Sequence, residues 1–64
     1  MILPFMDSVA GTAVYINPAE VVTLRPDPAA PERGSLVKLH DGETIQVLGH
    51  HREVADKLAR PPGG

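Results

Sequence analysis

At 64 residues the chain makes one small domain, and a domain of this size hides only about 60% of its unfolded surface on folding, which excludes a two-lobed enzyme with an interdomain cleft. Six Lys and Arg against eight Asp and Glu leave a formal charge of -2, so no long-range field draws nucleic acid or an anionic membrane to it. Cysteine is absent and Phe5 and Tyr15 are the only aromatics, which excludes disulfides and thiolate metal sites and leaves the core to Val, Leu, Ile and Ala.

The opening Ile2-Leu3-Pro4-Phe5-Met6 is apolar. It lacks a basic leader and meets Asp7 too soon for a secretory or membrane-spanning segment, so it is read as mature sequence of a cytoplasmic protein with no membrane insertion. Phe5 to Val9 is expected to add a strand before a turn at Ala10-Gly11, held to a sheet edge by Pro4. Thr12 to Ile16 and Val21 to Arg25 are rich in β-branched residues and predict two strands. Between them, Asn17-Pro18-Ala19-Glu20 predicts a tight turn or one turn of 3₁₀ helix capped by Asn17. Three prolines and a glycine between Pro26 and Gly34 predict a flexible loop over 26–34.

Ser35 to His40 and Glu43 to Leu48 flank Asp41-Gly42, a strong hairpin signal. A three-residue loop of His40-Asp41-Gly42 sets Val37 opposite Ile45 and Gly42 in a left-handed conformation, whereas a two-residue loop sets Ile45 beside Lys38. The β-branched pair selects the three-residue loop. Val54, Ala55 and Leu58 recur at helical spacing within His50 to Arg60, and Pro61-Pro62 ends that helix. The fold class is therefore mainly β (α+β): residues 1–60 form one antiparallel β-meander of three to five strands with one short C-terminal helix, and 61–64 form a disordered tail.

Strand alternation places Val14, Ile16, Val22, Leu24, Val37, Leu39, Ile45 and Val47 on a helix-covered face. Tyr15, Val21, Leu36 and Leu48 then fall on the opposite face, which a one-sided antiparallel sheet would keep polar. These four residues are the expected interface with another copy of the chain or with another protein.

Catalytic and metal-binding patterns are weak. His40, His50 and His51 are the candidate ligands, but adjacent histidines point different ways and no HExxH pattern accompanies them. Asp41 and Glu43 sit at a wet hairpin tip where nothing separates their acidities, and no hydroxyl nucleophile or phosphate loop is evident. Lys38, Arg52, Lys57 and Arg60 are interleaved with acids and lack an aromatic platform for nucleic acid. No catalytic residue, cofactor, metal or small-molecule substrate is expected.

The run Val14-Tyr15-Ile16-Asn17-Pro18-Ala19-Glu20-Val21-Val22-Thr23-Leu24, with Gly42, Ile45-Gln46-Val47 and Glu53-Val54 after it, resembles the small flagellar and swarming-motility proteins of the SwrD (FlbD-like) type. The similarity runs from about Gly11, which matches that family's first turn glycine, to Leu58. It implies a small, cytoplasmic, non-enzymatic accessory protein of bacterial motility with no catalytic residues. Two departures stand out: Gly49-His50 replaces the family's Glu-Ser helix cap, and the 26–34 loop replaces a short turn. The same order of elements is also similar to the larger, more basic LytTR class of DNA-binding domain, which makes a reduced nucleic-acid-binding module the alternative to a self-associating interaction module.

Overall fold

Asp41-Gly42 closes the hairpin between β4 (Gly34–Leu39) and β5 (Thr44–Leu48) in the computed structural model, which describes residues 2–59. Val37 lies opposite Ile45, and Gly42 has φ +94°, as the three-residue loop requires. The Gly42 N–H donates to the Leu39 carbonyl at 2.9 Å and the Leu39 N–H to the Glu43 carbonyl at 2.8 Å. Asp41 completes the turn by accepting the Glu43 N–H on its carboxylate at 2.9 Å.

Asn17 caps the 3₁₀ turn Pro18–Glu20 by accepting the Ala19 N–H at 3.0 Å, and β3 (Val21–Pro26) leaves that turn to pair with β4. Here the structure corrects the expected faces. Val21 lies opposite Leu39 and Thr23 opposite Lys38, so Val22 is an extra residue in a bulge. One extra residue reverses the alternation: Val21, expected on the outer face, packs against the core, while Val22, expected inside, is 55% exposed. β3 continues through Pro26 and β4 begins at Gly34, so the connection itself is 27–33. Buried Asp27 organises it, accepting the Ala29 N–H on its carboxylate at 2.9 Å and the Ala30 N–H on its carbonyl at 3.1 Å, an Asx turn.

β1 (Leu3–Met6) and β2 (Ala13–Ile16) form a separate antiparallel ribbon. β1 starts two residues earlier and ends three residues earlier than the expected Phe5 to Val9 strand, with Pro4 inside it and Ser8 to Ala10 in a turn. Proline is tolerated because its unpaired side faces away from β2, where the Lys57 ammonium donates to the Pro4 carbonyl. Asp7 builds the following turn: its carboxylate accepts the N–H groups of Val9 at 2.8 Å and Ala10 at 3.0 Å. The ribbon joins the three-stranded sheet β3-β4-β5 through an antiparallel bridge between Asp7 and Val47 and a 2.8 Å bond from the Ser8 N–H to the Gln46 carbonyl.

Gly49, at φ +127°, turns the chain from β5 into α1 (His51–Ala59). The buried Ser35 hydroxyl donates to the Gly49 carbonyl at 2.9 Å and fixes this corner. The helix packs on β3 and β4, driving Val54 into a core with Leu3, Phe5, Ile16, Val37, Ile45 and Val47, with Leu58 at its margin. Ala55, expected to face inward, is exposed. The expected helix end at Arg60 and Pro61-Pro62 and the tail 61–64 lie outside the described residues. Among the described residues no helix is long and apolar enough to cross a membrane.

Two pairs of substitutions test this architecture in thermal melts. A Cβ at Gly42 meets nothing within 4 Å, whereas one at Gly49 lies 3.2 Å from the Val54 side chain; Gly49→Ala therefore lowers the melting temperature more than Gly42→Ala. Each kcal/mol lost is worth about 4–8 °C in a domain of this size. At the bulge, Val21→Ala costs about 1 kcal/mol for the apolar carbons it withdraws from the core, while Val22→Ala stays within about 0.5 kcal/mol of wild type. Equal losses would place the bulge elsewhere.

Candidate interaction surface

Antiparallel pairing puts Pro4 opposite Tyr15 and Met6 opposite Ala13. With Leu3, Phe5 and Ile16 turned to the core, these four form the outward face of the β1-β2 ribbon. Ile2 precedes them with the same alternation. Tyr15 and Ile2 are each 62% exposed and Met6 41%. The Asp7-Val47 bridge, extended by one residue in antiparallel register, sets Met6 beside Leu48, itself 52% exposed. The result is an apolar surface in which neither the outward positions of the ribbon nor Leu48 carries a charge.

Where this surface meets α1 it dips into a groove of about 440 Å³, lined by Pro4, Phe5, Met6, Ala13, Leu48 and Val54 and edged by Glu53 and Lys57. Lys57 lies across it, its ammonium 4.5 Å from the centre of the Phe5 ring while bonded to the Pro4 carbonyl. The methylene stem of a lysine held in this way covers apolar surface as the head engages ring and carbonyl.

The four residues expected at an interface are divided by the fold. Tyr15 and Leu48 lie on the apolar surface. Leu36 is half-buried on the outer side of the three-stranded sheet, where Arg25 and Gln46 are its register partners, and Val21 belongs to the core margin. Ile2, Pro4 and Met6 were not singled out from sequence. Their signal is the uninterrupted apolar run from Ile2 to Met6, which marks a strand covered on both faces.

The histidines take local roles. Contrary to the expectation that adjacent histidines point apart, His50 and His51 stack with ring centres 4.2 Å apart, and His50 Nδ1 accepts the Arg52 N–H at 3.1 Å, capping α1 as an Asn or Ser side chain would. His51 Nδ1 is buried without a hydrogen-bond partner, and His40 stands at the start of the β4-β5 turn. Among the described residues no three His, Asp or Glu side chains converge on a point that suits a metal ion. The cations also separate: Lys38 is on β4 and Arg52 in the first turn of α1, Lys57 is held at Phe5, and Arg60 lies outside the described residues. A scan of family models and searches of curated proteins and solved structures find no match to this chain.

The position of Lys57 has a measurable consequence. Lys57→Ala removes the contact with Phe5 and lowers stability by about 0.5–1 kcal/mol, while Lys57→Arg retains most of it because a guanidinium also engages an aromatic face. Urea melts of the two variants distinguish this from a free surface lysine, for which both substitutions are silent.

Proposed function

We propose that the protein is a non-catalytic interaction module that associates with copies of itself through the outward face of the β1-β2 ribbon. The observation that carries the proposal is that Pro4, Met6, Ala13 and Tyr15, the outward positions of both strands, are uncharged and predominantly apolar, with Leu48 extending the same surface. An antiparallel ribbon exposed to water on one side alternates apolar with polar residues, and Met and Tyr are enriched where protein interfaces form. β2 pairs with β1 alone among the described strands, and a strand edge without a ladder partner is one at which a strand from another chain can add. A twofold axis beside this ribbon would bury both the edge and the apolar face in one isologous contact.

The thin aliphatic core favours the same outcome, because a domain this small gains stability from a partner copy. The resemblance of Val14 to Leu24 and of the β5-α1 region to SwrD-type proteins supports placing this module among cytoplasmic accessory proteins of bacterial motility, where self-association would serve assembly rather than chemistry.

Light scattering coupled to size exclusion at micromolar concentration tests the proposal. Wild type should run at a multiple of the 6.8 kDa chain mass, and the double variant Met6→Lys/Leu48→Lys should run at the chain mass while keeping its β circular-dichroism spectrum. Val22→Lys, at an exposed bulge of β3, which does not pair with the ribbon, should leave the wild-type mass unchanged. A folded wild-type monomer would sink the proposal, as would a double variant that still associates.

A further inference from the structure

The outer side of the three-stranded sheet has a different chemistry from the ribbon. Register places Thr23, Lys38 and Thr44 in one row across β3, β4 and β5, and Arg25, Leu36 and Gln46 in the next. Lys38 thus stands between two hydroxyls, with Arg25 as its diagonal neighbour on β3. Diagonal positions on adjacent strands lie about 7–8 Å apart, within reach of long side chains. Thr23, Arg25, Leu36, Lys38 and Thr44 line a concavity of about 230 Å³. No carboxylate lines it, although the chain has eight acids against six Lys and Arg. Neither the Arg25 nor the Lys38 side chain forms a hydrogen bond or ion pair with a described residue, so two like charges stand together with their donors unused. That arrangement opposes folding slightly and suits an anion.

We infer that this concavity binds the phosphate group of a small phosphomonoester. Two cations match a dianion, the guanidinium fork and the ammonium supply charge-assisted donors, and the threonine hydroxyls supply donors for the remaining oxygens. A carboxylate has one charge and two oxygens, which leaves half of this donor set idle. A nucleic-acid strand fits less well: each phosphodiester carries one charge, the domain is net negative, and neither aromatic residue is on this face to stack a base. At about 30 Å³ per water the concavity holds roughly eight waters, space for a phosphate and a short organic substituent, with the half-buried Leu36 side chain as the apolar contact for the latter. The site is independent of the ribbon and departs from the expectation that the chain has no small-molecule ligand.

Amide NMR titration with glycerol 3-phosphate, inorganic phosphate, glycerol and a single-stranded oligonucleotide tests the inference. Glycerol 3-phosphate should produce saturable shifts at Thr23, Arg25, Leu36, Lys38 and Thr44. Inorganic phosphate should shift the same amides with weaker affinity, and glycerol should shift none. Arg25→Gln/Lys38→Gln, both at exposed positions, should keep or slightly raise the wild-type melting temperature and weaken glycerol 3-phosphate binding about tenfold or more, the loss of one or more charge-assisted hydrogen bonds. Absence of shifts in this set, equal affinity in the double variant, tighter binding of inorganic phosphate than of the ester, or tighter, salt-sensitive binding of the oligonucleotide would each overturn it.

Discussion

The junction at Asp7 is the constraint on which the rest of the molecule depends. Its carboxylate gathers the Val9 and Ala10 N–H groups, its carbonyl accepts from Gly11, its N–H donates to the Thr12 carbonyl, and its backbone bridges to Val47. One residue therefore turns the chain back on itself and fastens the N-terminal ribbon to the larger sheet. The consequence is parity: with Asp7 opposite Val47, Leu3 and Phe5 face the core and Met6 faces outward beside Leu48. Burying an aliphatic or aromatic side chain of this size contributes about 1.5–3 kcal/mol, so Leu3 and Phe5 together supply a substantial share of the roughly 5–15 kcal/mol that stabilises a typical domain.

The same parity divides the outer surface by chemistry. The ribbon and Leu48 present apolar side chains, which gain free energy when another surface excludes water from them. The sheet beyond Leu36 presents hydroxyls and two unpaired cations, which gain it by neutralisation and hydrogen bonding. Neither surface is needed to close the core, because the helix and the inner strand faces do that between them. Lys57 belongs to neither, being tied to Pro4 and Phe5 where the ribbon meets α1.

Much of the fold was legible because local chemistry dictated it. Gly42 permits a positive φ, Asn17 supplies a cap, and the Val37-Ile45 pairing follows from a turn of known length; the structure realises all three. Two valines side by side give an alternation rule no preference between Val21 and Val22, and only the pairing of Val21 with Leu39 and Thr23 with Lys38 shows Val22 to be the bulged residue. Ala55 was placed inward on spacing alone, although α1 turns only a narrow stripe of Val54 and Leu58 to the core. The apolar surface was half legible. Tyr15 and Leu48 broke an expected polar alternation, but Pro4, which argues against a strand interior, obscured the contribution of β1. The basic face was missed because Arg25 and Lys38 are 13 positions apart in the chain, and only strand register brings them together.

Residue-resolved amide shifts followed during dilution from millimolar to micromolar concentration test the central claim most directly, since they report where copies of the chain touch as well as whether they do. The account predicts changes concentrated in Leu3 to Met6, Ala13 to Ile16 and Leu48, with the amides of Thr23, Arg25 and Lys38 unmoved. Shifts centred on the outer side of β3-β4-β5, or none across the full range, would contradict it.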